Sequence, residues 1–258
     1  MPTQGPRHDD VKIHLVILGQ DHEITARVRI GASRPVDVLP LARRVTDVIT
    51  EASVRDAAAE GRAVTCRAGC ASCCRQVVPV APIEALALAK MVKAMPGKQR
   101  EAVRRRFAAT VRRMEDLGLL DASVPPGRTM MTVTPARGKS AWDTASARYF
   151  EAGMACPFLE HERCLVYADR PVACRQHVVT SPPERCKDLG GDVEATARPV
   201  WMSELLAELS ASIADVDPKA MPLPLALEWA EAAGAALDVE VQGEDVVREL
   251  LERTTVMD

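Results

Sequence analysis

Hydrophobic and polar positions alternate near the start of the chain. Val11, Ile13, Leu15 and Ile17 alternate with Lys12 and His14, then Ile24, Ala26, Val28 and Ile30 alternate with Thr25, Arg27 and Arg29. A polar stretch from Gly19 to Glu23 lies between them. Two period-two runs joined by a short polar turn predict a β-hairpin with one buried face. The period then changes. After Pro35 and Pro40, Leu41, Val45, Val48 and Ile49 recur at helical spacing, up to the breaker Gly61. Pro82 suits a first helical turn, and Leu88, Met91, Val92 and Met95 share one face before Pro96 and Gly97 end that helix. A further helix is expected over residues 99–117, with Val103, Phe107, Val111 and Met114 inward and Arg105 and Arg112 on its back.

Residues 121–139 carry no periodicity and contain Pro125, Pro126, Gly127, Pro135 and Gly138, the pattern of a long functional loop. A helix over residues 140–152 follows. Short apolar runs around a charged turn between Cys156 and Cys164 predict a tight hairpin, and Pro171 would open one helical turn carrying Cys174. Beyond Pro199 the chain reads as helical, with Leu205, Leu209, Ile213 and Val216 on one face, then segments over 225–237 and 246–251. The fold class is therefore mainly α with a small N-terminal β-hairpin, and two cysteine-rich segments are expected to come together around a metal site. Three regions are expected: a hairpin and helix over 1–61, a cysteine-cluster metal-binding domain over 62–190, and a helical extension over 191–258.

Composition narrows the function. A chain of 258 residues, 47% hydrophobic, can bury an ordinary core and needs no covalent staples. The N-terminal apolar run is interrupted by Lys12 and His14 and precedes no small-residue cleavage site, so a cytoplasmic protein with reduced thiols is expected. No apolar stretch is long enough to span a membrane. A net charge of -3 and only 3% aromatic residues argue against a nucleic acid partner.

The chemistry lies in the cysteines. Cys66, Cys70, Cys73 and Cys74 fall within nine residues, and Cys156, Cys164, Cys174 and Cys186 form a second group. Thiolates are soft ligands for zinc or iron, and Gly69 lets the backbone between the first cysteines curl tightly enough for them to converge. Four thiols so close together invite oxidation unless a metal holds them. Cys186 is the weakest member, because its spacing matches no finger or ribbon. The adjacent pair Cys73 and Cys74 is expected to diverge, the two thiols serving two ions or different irons of one cluster. Arg67, Arg75, Arg170 and Arg175 stand beside the cysteines and could offset thiolate charge. Glu84 is a candidate acid-base group or hard ligand, and His161 a candidate fourth ligand. The arginines from Arg100 to Arg113 read as a solvated helix back.

Cys66-x3-Cys70-x2-Cys73 has the spacing of the radical S-adenosylmethionine signature. Ser72 stands where that family usually has an aromatic, and the sequence that follows is helical instead of alternating strand and helix. An iron-sulfur cluster remains open.

Taken with Cys74, Glu84, Cys156-Pro157-Phe158-Leu159, Cys164, Tyr167 and Arg170-Pro171-x2-Cys174-Arg175, the spacing resembles the bacterial YkgJ-like proteins. These are described as zinc- or iron-chelating cysteine-cluster domains. The resemblance covers roughly residues 62–190. It departs at His177, where the family usually has an aromatic. What the resemblance implies is binding of zinc or iron, with the reaction unassigned. A related cysteine cluster occurs in flagellin lysine N-methylases, which implies an alternative, a protein-modifying enzyme with an iron-sulfur centre acting in a pocket under residues 121–139. No glycine-rich nucleotide loop supports it independently. A cytoplasmic scaffold with structural zinc is a further alternative. A protein partner or protein substrate fits either.

Overall fold

The computed structural model of the chain describes residues 7–67, 69–120, 140–187 and 192–255. The expected hairpin is present. Strands β1 (Arg7–Ile17) and β2 (Gln20–Ile30) pair antiparallel, from Arg7 opposite Ile30 to Ile17 opposite Gln20. Leu18 and Gly19 turn the chain with φ of 50° and 71°, the left-handed geometry that a two-residue hairpin loop demands. Ile13, Leu15, Ile17, Ile24, Ala26 and Val28 are buried on one face, so the period-two pattern has done what it predicts.

That face packs on helix α1 (Leu39–Ala59), whose Leu41, Val45, Val48 and Ile49 are buried. The same core takes Met202, Leu205, Leu206 and Leu209 from a helix near the C-terminus and Val246 and Leu250 from the last one. The two ends of the sequence thus build one core. A two-residue strand pair closes it: β3 (Ala32–Ser33) runs antiparallel to a strand at Val241–Gln242.

A second core lies under the cysteine segments. Following β4 (Pro79–Val80), helix α2 (Pro82–Ala94) opens with Pro82 in its first turn, where the missing N–H costs nothing. Helix α3 (Gly97–Asp116) starts two residues earlier than its periodicity predicts. Pro96 has a fixed φ and stands as its N-cap, and its carbonyl accepts from Arg100 N at 2.8 Å to close the first turn. Val103, Phe107 and Met114 face inward, and Arg105 and Arg112 are exposed. Phe107 meets Phe158 edge to face at 5.1 Å between ring centres. Helix α4 (Ala141–Glu151) is capped by Ser140, which accepts from Asp143 N at 3.0 Å.

The expected tight hairpin is β5 (Leu159–Glu160) against β6 (Arg163–Cys164), turning through His161 and Glu162, both at positive φ. Helix α5 (Val172–Gln176) follows Pro171 and carries Cys174. Helix α6 (Met202–Ile213) stops before Val216, because Ala214 is extended. The segment expected over 225–237 is split: β7 (Met221–Pro222) pairs with β4, then α7 (Ala226–Ala232) breaks at Ala233 and a 3-10 turn covers Gly234–Ala236. Strand β8 (Val241–Gln242) is the partner of β3, and α8 (Gly243–Thr255) ends the described chain. The expected loop over 121–139, and any pocket beneath it, lies outside the described residues. Among those described, no helix is long and apolar enough to cross a membrane.

Candidate metal centre

The first cysteine segment leaves α1 and runs beside a later one. Thr65 N donates to Val179 O at 3.0 Å, and its hydroxyl to Ser181 O at 2.6 Å. Val179 N in turn donates to Cys66 Sγ at 3.4 Å. Gly69 has φ of 85°, the left-handed conformation for which only glycine lacks a steric penalty. The chain then tightens into a 3-10 turn, Ser72–Arg75, which carries Cys73 and Cys74.

The second segment docks directly on that turn. Cys156 N donates to Cys74 O at 2.7 Å, and Arg75 forks onto Glu162 at 2.7 and 3.2 Å. Helix α3 holds the other side: Arg106 donates to Pro157 O at 2.8 Å and to Glu160 at 3.0 Å. Arg106 is therefore an exception to a solvated arginine face. Cys174 reaches the cluster from α5, and α5 is fixed from behind by Arg175, which pairs bidentately with Asp47 of α1 at 2.8 and 3.0 Å. Cys186 sits buried in a 3-10 turn, Pro183–Lys187.

All eight cysteines are free thiols. They fall into two neighbouring sets. Cys66, Cys70 and Cys186 influence one another electrostatically, as do Cys156, Cys164 and Cys174. Cys73 acts on members of both sets and interacts directly with Cys74. This corrects one expectation: the adjacent thiols Cys73 and Cys74 come together in the tight turn and both line the same cavity.

Burial pushes five of the thiols up. Cys156 is raised to about 12, Cys174 well above its ordinary value, and Cys66, Cys164 and Cys186 in the same direction. Cys73 is also raised, first by its neighbour Cys74 and then by burial. Several sulfurs nonetheless accept backbone N–H groups: Cys66 from Val179, Cys156 from Phe158 and Leu159, Cys164 from Val166. Such donors stabilise thiolate, and a bound cation would supply the charge that burial otherwise denies. The donor set fits zinc or iron in its chemistry. Its geometry does not yet converge: among the described residues no three His, Cys, Asp or Glu side chains are arranged to hold one ion.

The polar residues sort differently from expectation. Of the four arginines, Arg170 acts on Cys66, Cys73 and Cys164, while the hydrogen bonds of Arg75 and Arg175 are taken by Glu162 and Asp47. Glu84 is no ligand. It is buried, and its two oxygens accept from Ala81 N at 3.1 Å and Val172 N at 2.8 Å. His161 is exposed at the hairpin turn.

A cavity of about 720 Å³ opens beside the thiols, lined by Cys70, Cys73, Cys74, Cys156, Cys164 and Cys174. Trp142, Phe158, Tyr167 and Trp201, half of the chain's aromatic residues, also line it, with Arg170, Arg198 and His177. Trp142, Arg198 and Trp201 were not singled out by any motif. Their signal was the scarcity of aromatics itself, which makes an exposed tryptophan such as Trp201 informative.

No curated protein and no solved structure matches the chain. Residues 65–188 match the family model CxxCxxCC, described as "Putative zinc- or iron-chelating domain". The match contains all eight cysteines, both docked segments and α5. Over residues 65–188, held between the N-terminal hairpin and the C-terminal helices, the chain is thus similar to the CxxCxxCC family.

Proposed function

We propose that the chain chelates zinc or iron through Cys66, Cys70, Cys73, Cys74, Cys156, Cys164, Cys174 and Cys186. The observation that carries this reading is the docking of two cysteine segments, distant in sequence, with Cys73 common to both sets of thiols. Cys66, Cys70 and Cys186 then serve one side and Cys156, Cys164 and Cys174 the other, an arrangement suited to more than one ion or to a cluster. The ion would supply the positive charge that buried thiolates need, and iron would add one-electron chemistry. The chelating unit is taken as residues 62–190, flanked by 1–61 and 191–258, in a reducing, cytoplasmic setting where the thiols stay free.

Cys73→Ser tests the reading by removing the shared sulfur. Bound zinc or iron should fall to a small fraction of the wild-type content, whereas Cys186→Ser should lose only the part held by its own side. Full metal retention by Cys73→Ser would refute it.

A second reading has one observation in its favour. A closed structural zinc site has no use for an adjoining pocket, and here a ligand-sized cavity opens directly onto the cysteines. This favours an iron-sulfur protein-modifying enzyme over a scaffold. Protein purified without oxygen should then contain acid-labile sulfide, and S-adenosylmethionine should change its optical spectrum. Zinc without sulfide would eliminate this version and leave the chelating one standing.

A further inference from the structure

The cavity is larger than metal binding requires. A water molecule takes about 30 Å³ of liquid, and pockets for organic ligands run from about 300 to 1,000 Å³. At about 720 Å³ there is room for an organic molecule beside the thiols.

Its polar groups are unevenly placed. Arg170 lies over the Tyr167 ring at 4.2 Å and acts on three cysteines, so it belongs to the sulfur end. Arg198 lies over the Trp201 ring at 4.5 Å, and the group its charge reaches is His177. Among the described residues, no carboxylate pairs with Arg198. Among the described lining residues Glu162 is the one carboxylate, and Arg75 already holds it. A half-buried guanidinium without an anion is costly, and burial accordingly pulls Arg198 below its ordinary value. Stacking on an indole occupies the flat face of a guanidinium and leaves its in-plane N–H groups for an acceptor. His177 adds a second unmet need: its Nε2 is buried and has no hydrogen-bond partner.

We propose that this cavity binds a small organic oxyanion, a carboxylate or phosphate carried on an apolar or aromatic body. Arg198 holds the anionic group, with His177 beside it. Trp201, Trp142 and Phe158 supply apolar wall for the body. The sulfur end then faces the remainder of the ligand, which places a substrate-sized molecule next to the cysteines. The proposal rests on the cavity and its unpaired polar groups, and holds whichever metal the thiols carry.

The chain supplies its own probe. Of its three tryptophans, Trp142 and Trp201 line the cavity while Trp229 belongs to the second core. Tryptophan emission of the purified 258-residue chain is titrated with phenyl phosphate, benzoate and the neutral benzyl alcohol. At least one anion should saturate the signal with an affinity at least about tenfold above that of the alcohol, the scale of one charge-assisted hydrogen bond. The better of the two anions identifies the headgroup. Arg198→Gln should remove that preference and Arg198→Lys restore part of it, while Arg105→Gln, on the exposed back of α3, leaves it intact. Equal binding of all three compounds overturns the proposal, as does failure of either anion to saturate. Both comparisons use the wild-type chain, so they stand even if an Arg198 variant folds poorly. An unchanged anion preference in a folded Arg198→Gln would overturn it too.

Discussion

Glu84 joins two elements that sequence keeps far apart. Its carboxyl accepts from the N-terminus of α2 and from the first residue of α5, the helix that presents Cys174. A glutamate three residues after a helix N-cap is legible as a capping residue, but the partner at Val172 lies 88 residues away and leaves no local trace. That is why the residue type alone pointed to a ligand. Burial raises the carboxyl above its ordinary 4.5, against the pull of its two backbone donors and of Arg43 and Arg175. Between 4.5 and the raised value the folded chain holds a proton that the unfolded chain has released. Stability from this group is therefore greatest below that window and declines as pH rises through it. Glu84→Gln leaves one buried amide without its acceptor and should cost about 1–3 kcal/mol at about pH 5. The deficit relative to wild type should narrow toward neutral pH in chemical denaturation. A deficit that widens with pH would contradict this account of Glu84.

Elements long enough to show a period were readable, and those of two residues were not. The β1–β2 hairpin declared itself by alternation over Val11–Leu15 and Ile24–Ile30, and α1, α2 and α3 by their apolar spacing. Strand pairs β3–β8 and β4–β7 have no period to read, yet they fasten the N-terminal half to the C-terminal one. Where β8 gives way to α8, Gly243 sits against the end of β2. Its N–H donates to Gly31 O at 2.9 Å, and the next residue, Glu244, accepts from Gly31 N at 2.7 Å. A Cβ at Gly243 would lie 2.2 Å from Arg29 O and 2.7 Å from Ser33 Oγ. Backbone cannot yield there without moving α8 from the hairpin. Gly243→Ala should therefore destabilise by about 1–3 kcal/mol. Gly97→Ala, at the open start of α3 where an added Cβ meets nothing within 4 Å, should be neutral or stabilising by up to about 1 kcal/mol. Thermal melting of the two variants checks both, and equal melting points would refute the contrast.

At the scale of the molecule, the cysteine motif was the readable part of the site and the cavity was the hidden part. Four thiols within nine residues point to metal chemistry by spacing alone, and the family match covers them and the second group. The cavity wall comes from the 3-10 turn of Cys73, from Trp142 on α4, from the β5–β6 hairpin, from α5, and from Arg198 and Trp201 ahead of α6. No local pattern marks residues contributed by so many segments, and Trp201 stands out only because aromatics are few. The same scale explains the flanking regions. The hairpin, α1, α6 and α8 form one core, and Arg175 and Asp47 tie α1 to the helix of Cys174, so the N-terminal region braces the site while the C-terminal one also lends Arg198 and Trp201 to its wall.

The central claim is that these thiols hold metal. Its most direct test is the zinc, iron and acid-labile sulfide content per chain of protein purified without oxygen and, if necessary, reconstituted with each metal in turn. The account predicts tightly held zinc or iron, at one or more atoms per chain, that survives gel filtration and is lost in Cys73→Ser. A folded wild-type chain that retains neither zinc nor iron after reconstitution would contradict it.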